Sequence, residues 1–547
     1  MPMPDCAYNQ LLHSSHTREN HFLNFGQVGS QTVKSRLHEK KFKDARMKKI
    51  QLLYVANEIT DEQGLSQQEL SFFIQVENLA FAKQVDIVWA GEDNVWQILP
   101  ARYHSSSESN QEYWNALTSI LPAADEALPG NIQFAVRYRV SGEEYWDNHD
   151  GLNYHSQANS IEQLPDPLPW LNIGLNKNLD NKQEFVPVKF VINRPLNVKS
   201  VSVHWTTDDW ATANITPCHL KVSPALEGDE NPIQDSIQNT AQIWQGLLNI
   251  GDAFRLQYCI CCEADDQLFW DNNHGQNYSA SRKPLNILIL NLHCYQEENQ
   301  DDKFSQIAKA IDELCVDIVC LQEVAENWND AQGDWQSNSA KIINDRLRSP
   351  YHLHTDWSHL GFDRYREGVA IMSKYPFLKH DSRYVSNSND PYNIHARKVV
   401  MAQIAVPCIG LINCFSSHLS WWKDGFSEQF ANLRAWADAN HNWHVNATLL
   451  CGDFNIKAGS RGYKLVVESS DYEDQLLATE SPHVFKKIFR ERHMNWRRYL
   501  ANDHRIDYIF MKKSSEIRVT SARVVFTEQE YGRVSDHEGY LMTFEPK

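Results

Sequence analysis

Two arrangements of hydrophobic and polar positions divide this chain. Between residues 50 and 280, apolar and polar positions alternate over short runs broken by Gly, Asn, Asp and Pro. Alternation with period two puts every second side chain on one face, so this region predicts antiparallel strands in β-sandwiches of about 100 residues each. From Pro284 to Lys547 the runs are apolar throughout: LNILILNL, VDIVCLQEV, GVAIMSKY, MAQIAVPCIGLINCF, ATLLCGDFN, RIDYIFMK and GYLMTFE. Such runs predict strands covered on both faces. Between the first two, KFSQIAKAIDEL sets Ile307, Ile311 and Leu314 at helical spacing. The C-terminal half is expected to be an α/β domain with its polar residues at strand ends.

The alternating region contains a repeat. FAVRYRVSGEEYWDNHDGLNY (134–154) recurs as FRLQYCICCEADDQLFWDNNHGQNY (254–278), and an aromatic pair precedes each copy, in VDIVWAGEDNVW (85–96) and VSVHWTTDDW (201–210). The repeating unit is thus a whole domain. The expected order is a disordered tail over 1–49 with a basic stretch from 34, a first sandwich over 50–160, and a Pro- and Asn-rich linker over 161–183. A second sandwich over 184–280 and the α/β domain over 284–547 complete it.

Sugar rings offer apolar CH faces edged by hydroxyls, so a glucan site wants an aromatic platform beside amide and carboxylate groups. Trp146, Asn148 and Tyr154 supply this in the first copy, and Trp270, Asn272 and Tyr278 in the second. Trp205 is a further candidate, with core packing as the alternative for it and for Trp89. YWDNHDGLNY and FWDNNHGQNY resemble the signature near the end of carbohydrate-binding module family 21, over about residues 50–160 and 183–280. The resemblance implies starch- or glycogen-binding β-sandwiches. The first copy departs from it at His149 and Asp150, which replace the more usual Asn and small residue.

Composition narrows the field. At 547 residues, with 42% hydrophobic and 22% charged, the chain is too long for one core and ordinary for a multidomain globular protein. Eleven scattered cysteines, mostly inside apolar runs, suit buried thiols in a reducing compartment, and the Cys259, Cys261, Cys262 cluster lacks paired zinc spacing. No apolar stretch reaches bilayer length and the first residues have no signal-peptide core, which leads to a cytoplasmic expectation. A net charge of -18 disfavours tight non-specific binding to a polyanion.

Six phrases in the C-terminal half form an ordered set: NLH at 291, LQE at 321, SSHL at 416, GDFN at 452, RIDYIF at 505 and SDH at 535. Metal-assisted phosphoester cleavage needs hard oxygen ligands, a base for the attacking water, and donors for the phosphoryl oxygens. Glu323 and Asn291 are candidate ligands for magnesium, or manganese. His537, next to Asp536, is a candidate base with Asp507 to orient its ring. His418 would donate to the phosphate, Asn455 would hydrogen-bond it, and Asp453 would orient or deprotonate water. His293, His395 and His483 are read as structural.

This set resembles the endonuclease/exonuclease/phosphatase superfamily across residues 284–547. The resemblance implies a deoxyribonuclease I-like four-layer α/β sandwich and magnesium-dependent phosphoester cleavage with those roles. HLSWWKDGF (418–426), NLHCYQEE and VSDHEGY are similar to the bacterial maltose 6'-phosphate phosphatase branch. Trp421 and Trp422 fit a sugar-stacking wall or core packing equally well, and the basic run 486–498 fits a phosphate clamp, a solvated helix face or a nucleic-acid contact. The leading expectation is a phosphoester hydrolase tethered to α-glucan and acting on it or on a derived sugar phosphate. The alternatives are a nuclease acting on nucleic acid and a non-catalytic glycogen-binding adaptor.

Overall fold

The computed structural model describes residues 48–547 apart from 63–64, 107–109, 123–126, 164–169, 175–177, 194–195, 222–240, 274, 330, 470 and 481–503. Residues 1–47 of the N-terminal tail, parts of the expected linker, His483 and the basic run 486–498 lie outside the described residues. The chain divides into two compact units, one ending at Arg282 and one beginning at Lys283. Among the described residues no helix is long and apolar enough to cross a membrane.

The first unit holds two β-sandwiches. In the first, a sheet of five strands (Ser160–Gln163, Ile50–Glu62, Leu65–Glu77, Gln111–Ile120, Arg102–Ser106) faces one built on Lys83–Ala90, Ile132–Val140 and Glu143–Asp147. Alternation explains the core: Val85, Ile87 and Trp89 point inward beside Phe134, Val136 and Tyr138. The second sandwich repeats the plan, with Phe185–Asn193 and Ala241–Asn249 facing Val198–Thr206, Arg255–Ala264 and Gln267–Asp271.

The expected linker is partly sheet. Ser160–Gln163 pairs with the first strand of the first sandwich, and Trp170–Asn172 pairs with residues 190–192 of the second. A Pro- and Asn-rich composition concealed strands of four and three residues, which are too short to show periodicity.

The sandwiches also share a core. Leu53, Tyr54, Ala56 and Phe73, on the outer face of a first-sandwich sheet, cluster with Leu171, Val191, Ala241 and Ile243 of the second. The Lys221 ammonium donates to both Glu58 carboxylate oxygens at 2.7 Å beside this seam.

The second unit packs two mixed sheets between helices. One sheet runs His352–Gly361, Tyr365–Ser373, Ile318–Asn329, Leu285–Asn291, Gly539–Pro546, Ile517–Val525; the other runs Phe377–Tyr384, Lys398–Val406, Gly410–His418, Val445–Asp453, Asp507–Lys512, Tyr472–Asp474. The helices Gln300–Glu313 and Ser339–Asp345 cover the first sheet through Phe304, Ile307, Ile311 and Ile343. Phe426–Asn440 and Arg461–Ser469 cover the second. Between the sheets, the thiol sulfurs of Cys320 and Cys414 lie 3.4 Å apart. The result is the expected four-layer α/β sandwich of deoxyribonuclease I-like type, following the antiparallel N-terminal domains in sequence.

Candidate active site

Strand ends deliver the polar set to one place. Asn291, His418 and Asp453 each close their strand, and Asp507 opens one. Asp453 is the register partner of His418 on one side and of Asp507 on the other, so three neighbouring strands present these groups side by side. Gly452 permits the close approach: at φ 126° it takes a conformation that favours glycine, and a Cβ there would lie 2.2 Å from the Ser417 carbonyl oxygen and 2.7 Å from the Gln322 amide.

Glu323 reaches the site by a different device. The pairing of its strand slips between Gln322 and Val324, and Glu323 sits at the slip with φ 49°. A bulge of this kind re-aims one side chain at a backbone cost of order 1 kcal/mol or more, which neighbouring packing must offset. Asn455, two residues beyond Asp453, also has positive φ, at 51°.

The side chains form one hydrogen-bonded set. The Asn291 amide donates to Glu323 Oε1 at 2.9 Å and to Asp453 Oδ2 at 3.2 Å, and lies 3.5 Å from His537 Nε2. His537 Nδ1 donates to Asp507 Oδ2 at 2.7 Å, which leaves Nε2 facing Asp453 Oδ2 at 3.8 Å. His418 Nε2 is 3.6 Å from the same Asp453 oxygen. Asp536 is at the rim with its side chain 55% exposed, 3.5 Å from His293 Nδ1 and 4.0 Å from His537 Nε2.

Electrostatics follow from the crowding. Burial raises the Glu323 carboxyl, and the charge of Glu367 raises it further. Burial and then the charge of Asp507 push Asp453 up to about 8. Burial also raises Asp507. Burial alone would lower His537, but the hydrogen bond and charge of Asp507, with Asp453 and Asp536, outweigh it and carry the imidazole up to about 9. His418 is held well below its ordinary range by burial and by the charges of Arg397, His359 and His537. These carboxylates are short of positive charge, and Asp507 Oδ1 is buried with no hydrogen-bond partner among the described residues. The Asp453, Asp507 and His537 ligand atoms lie within 4.8 Å of one another. Carboxylate oxygens with surplus negative charge, Glu323 among them, fit a hard dication such as magnesium or manganese.

Two expected roles meet obstacles in the geometry. The Asn455 amide nitrogen donates to the Leu419 carbonyl at 2.9 Å and lies 3.1 Å from His418 Nε2. A nitrogen already donating to a carbonyl makes His418 Nε2 the acceptor here, so donation from His418 to phosphate requires a proton gained at Nε2 and a shift of the amide.

The structure adds groups the sequence did not flag. Arg397 is 5% exposed; its Nε lies 3.4 Å from Ser420 Oγ, and its terminal nitrogens have no hydrogen-bond partner among the described residues. Burial lowers its guanidinium, opposed by the charges of Glu367, Asp453 and Glu323. His359 Nε2 pairs with Glu367 at 3.4 Å on the strands beside Glu323. The available signal was an Arg at the mouth of a buried run, in HARKVVM. His293, read as structural, stands at the rim with Glu297 at 2.7 Å. Trp421 is half exposed, next in sequence to Ser420, while Trp422 packs on Phe426 and under Arg461.

The sandwich residues separate into two groups. Trp146 and Trp270 are 43% and 40% exposed. Tyr154 and Tyr278 instead donate to Asp147 at 2.8 Å and Asp271 at 2.7 Å, stacked on Phe134 and Tyr258. Asn148 and Asn272 use Oδ1 to accept from the backbone of Gly151 and Gly275, which builds the turn after each tryptophan. Trp205 corrects the sequence expectation: at 8% exposure it is a core residue whose indole donates to Thr216 at 2.9 Å. In VHWT the outward position is His204, because Val203 and Trp205 share the inward phase.

Residues 289–537 match the Endonuclease/Exonuclease/phosphatase family, and residues 49–157 and 178–281 each match the Carbohydrate/starch-binding module (family 21). Among curated proteins, Glucoamylase 1 of Rhizopus oryzae is 34% identical over 86 residues, 15% of this chain and 13% of that protein. Protein phosphatase 1 regulatory subunit 3E of Mus musculus is 35% identical over 83 residues, 15% of this chain and 28% of that protein. The chain thus spans well under two thirds of either relative. Among solved structures, an endonuclease/exonuclease/phosphatase family protein from Leptotrichia buccalis is similar at 24% identity and a TM-score of 0.39, covering 48% of this chain and 99% of that one. A mannosyl-6-phosphatase of Bacteroides thetaiotaomicron is similar at 15% identity and 0.34, with the same coverage. TDP2 of Caenorhabditis elegans is similar at 18% and 0.34, covering 48% and 97%. Over residues 289–537 the chain is an Endonuclease/Exonuclease/phosphatase family domain, preceded by two family 21 carbohydrate/starch-binding modules.

Proposed function

We propose that the C-terminal domain is a divalent-metal-dependent phosphoester hydrolase acting on phosphorylated α-glucan or a sugar phosphate derived from it, and that the two modules hold it on glucan. The observation that carries the reading is the single hydrogen-bonded set joining Glu323, Asn291, Asp453, His537 and Asp507. A dication held by Glu323, and by Asn291 once its amide turns to present Oδ1 where Nδ2 now donates to Glu323 and Asp453, would supply charge to polarise the phosphoryl group.

The remaining steps belong to the chain's own groups. Asp507 fixes the His537 ring so that Nε2 faces the pocket, and its carboxylate stabilises the imidazolium formed when Nε2 takes a proton from water. Burial works against the His537 imidazolium, while the hydrogen bond and charge of Asp507, and then the charges of Asp453 and Asp536, hold its proton. Asp453, between the two histidines, orients the attacking water. The unspent Arg397 nitrogens bind phosphoryl oxygens through guanidinium–phosphate pairing, and Asn455 joins them only after its amide turns from the Leu419 carbonyl and His418. His418, once protonated, serves the leaving oxygen.

For the substrate, the family 21 matches favour a glucan over nucleic acid, as does the net charge of -18. Half-exposed Trp421 offers a face for a sugar ring near the catalytic groups. A maltose phosphate fits this combination, and a reducing cytoplasmic setting suits the ten free cysteines among the described residues. The test is a phosphatase screen with maltose 6'-phosphate, phosphorylated glycogen and abasic DNA, with and without magnesium. Magnesium-dependent release of phosphate from the sugar substrates is expected. Cleavage of DNA without sugar-phosphate hydrolysis would overturn the substrate assignment, and no turnover of any phosphoester would leave a glucan-binding adaptor.

A further inference from the structure

Each sandwich carries its exposed tryptophan on the sheet farther from the seam between the two. Trp146 pairs with Arg137, which alternates with the core residues Val136 and Tyr138, so it stands on the outer face of its sheet. Trp270 pairs with Cys261, between Ile260 and Cys262 of the other core, and is outward in the same sense. The opposite sheet of each sandwich spends its outer face on the shared core of Tyr54, Phe73, Val191 and Ile243. The layers therefore run in the order Trp146 sheet, seam sheet, seam sheet, Trp270 sheet.

That order has a consequence for binding. Stacked sheets sit about 10 Å apart, so three intervals separate the two tryptophan sheets by roughly 30 Å. Their exposed faces look away from each other. The seam is apolar and buried, and Lys221 pairs with Glu58 beside it, so the arrangement is fixed by packing instead of left to a free linker. A short glucan lying on one tryptophan cannot reach the other.

We propose that the tandem modules are a back-to-back bridge that binds two separate α-glucan chains, one on the Trp146 face and one on the Trp270 face. This rests on the glucan-binding reading of those two tryptophans. The two sites then add no affinity for a short linear chain, because neither raises the local concentration of the segment the other needs. On a branched particle they grip different branches, and between particles they cross-link.

The experiment uses the full chain and its Trp146→Ala, Trp270→Ala and double variants. Three readouts are light scattering of soluble glycogen, retention on insoluble amylose, and calorimetry with a short maltooligosaccharide. The wild type should raise glycogen scattering and bind two oligosaccharides per chain. Each single variant should bind one with affinity within about twofold of the wild-type sites, stay on amylose, and lose the rise in scattering. Trp270→Tyr should restore scattering, which separates loss of a platform from loss of fold. One oligosaccharide per wild-type chain, with more than about a tenfold loss from either substitution, would mean both tryptophans grip one chain and would overturn the bridge. Single variants that still cross-link would overturn it as well. A double variant retained on amylose like the wild type would instead overturn the platform reading beneath it.

Discussion

Asp507→Asn isolates the charge that governs His537. The substitution keeps the side-chain size and one oxygen within reach of Nδ1, now 2.7 Å from Asp507 Oδ2, but removes the carboxylate charge. Carrying a histidine from its ordinary 6.5 up to about 9 corresponds to roughly 3 kcal/mol of preference for the imidazolium. Asp507 is the largest source of that preference, and a general base becomes an imidazolium in the transition state. Losing most of it should lower kcat on the order of 100-fold, and about 10,000-fold if the amide turns its NH2 toward Nδ1 and fixes the wrong tautomer. The assay is kcat and KM on the phosphoester found in the screen, measured across neutral and alkaline pH. Because Asp507 binds no substrate, KM should stay within about threefold. The folded His537 imidazolium loses the same partner, so the variant should melt lower than the wild type in chelator at neutral pH and converge with it above about pH 9. A loss of less than about tenfold in kcat, in a folded variant, would refute the assignment of His537 as an oriented base.

Three further outcomes follow from other parts of the molecule. Arg397→Met should raise KM about 10- to 100-fold without lowering the melting temperature, since it removes a buried cation that offers its free donors to substrate; unchanged kinetics would remove Arg397 from the phosphate site. In chelator, the C-terminal unit should lose stability as pH rises: Asp453, raised from 3.8 to about 8, and His537, raised from 6.5 to about 9, both bind protons more tightly folded than unfolded, so their contribution is present at low pH and lost by about pH 9. Calorimetric scans at pH 6 and pH 9 read this, and a melting temperature flat across that range would contradict it. Trp205→Ala should cost about 3–5 kcal/mol of stability in its sandwich, whereas Trp270→Ala should leave denaturant midpoints nearly unchanged and weaken glucan binding; the reverse pattern would exchange their roles.

Much of the C-terminal domain was legible because buried strands announce themselves as apolar runs and their polar ends must go somewhere. Asn291, His418, Asp453 and Asp507 all stand at such ends, and the structure brings them together. Glu323 was found through its motif, but the bulge that aims it depends on register with Gly368 and Val369, which local sequence does not display. Arg397, His359 and Glu367 were missed because nothing in their own runs says that three separate strands converge. For Trp205 the choice between sugar platform and core stayed open because a short alternating run does not declare its phase. The shared core between the sandwiches did leave a trace: Leu52 through Ala56 are all buried, and an unbroken apolar run in a supposedly half-exposed sheet indicates cover on both faces.

The central claim is that Glu323 and its partners form one divalent-cation site that drives hydrolysis. The most direct measurement is a magnesium titration of the full chain and of Glu323→Gln, following phosphate release and melting temperature in parallel. The wild type should gain activity and stability with the same apparent affinity, and the variant should need at least about tenfold more magnesium for either. Equal responses from the two proteins, or full hydrolysis by the wild type in chelator, would contradict the account.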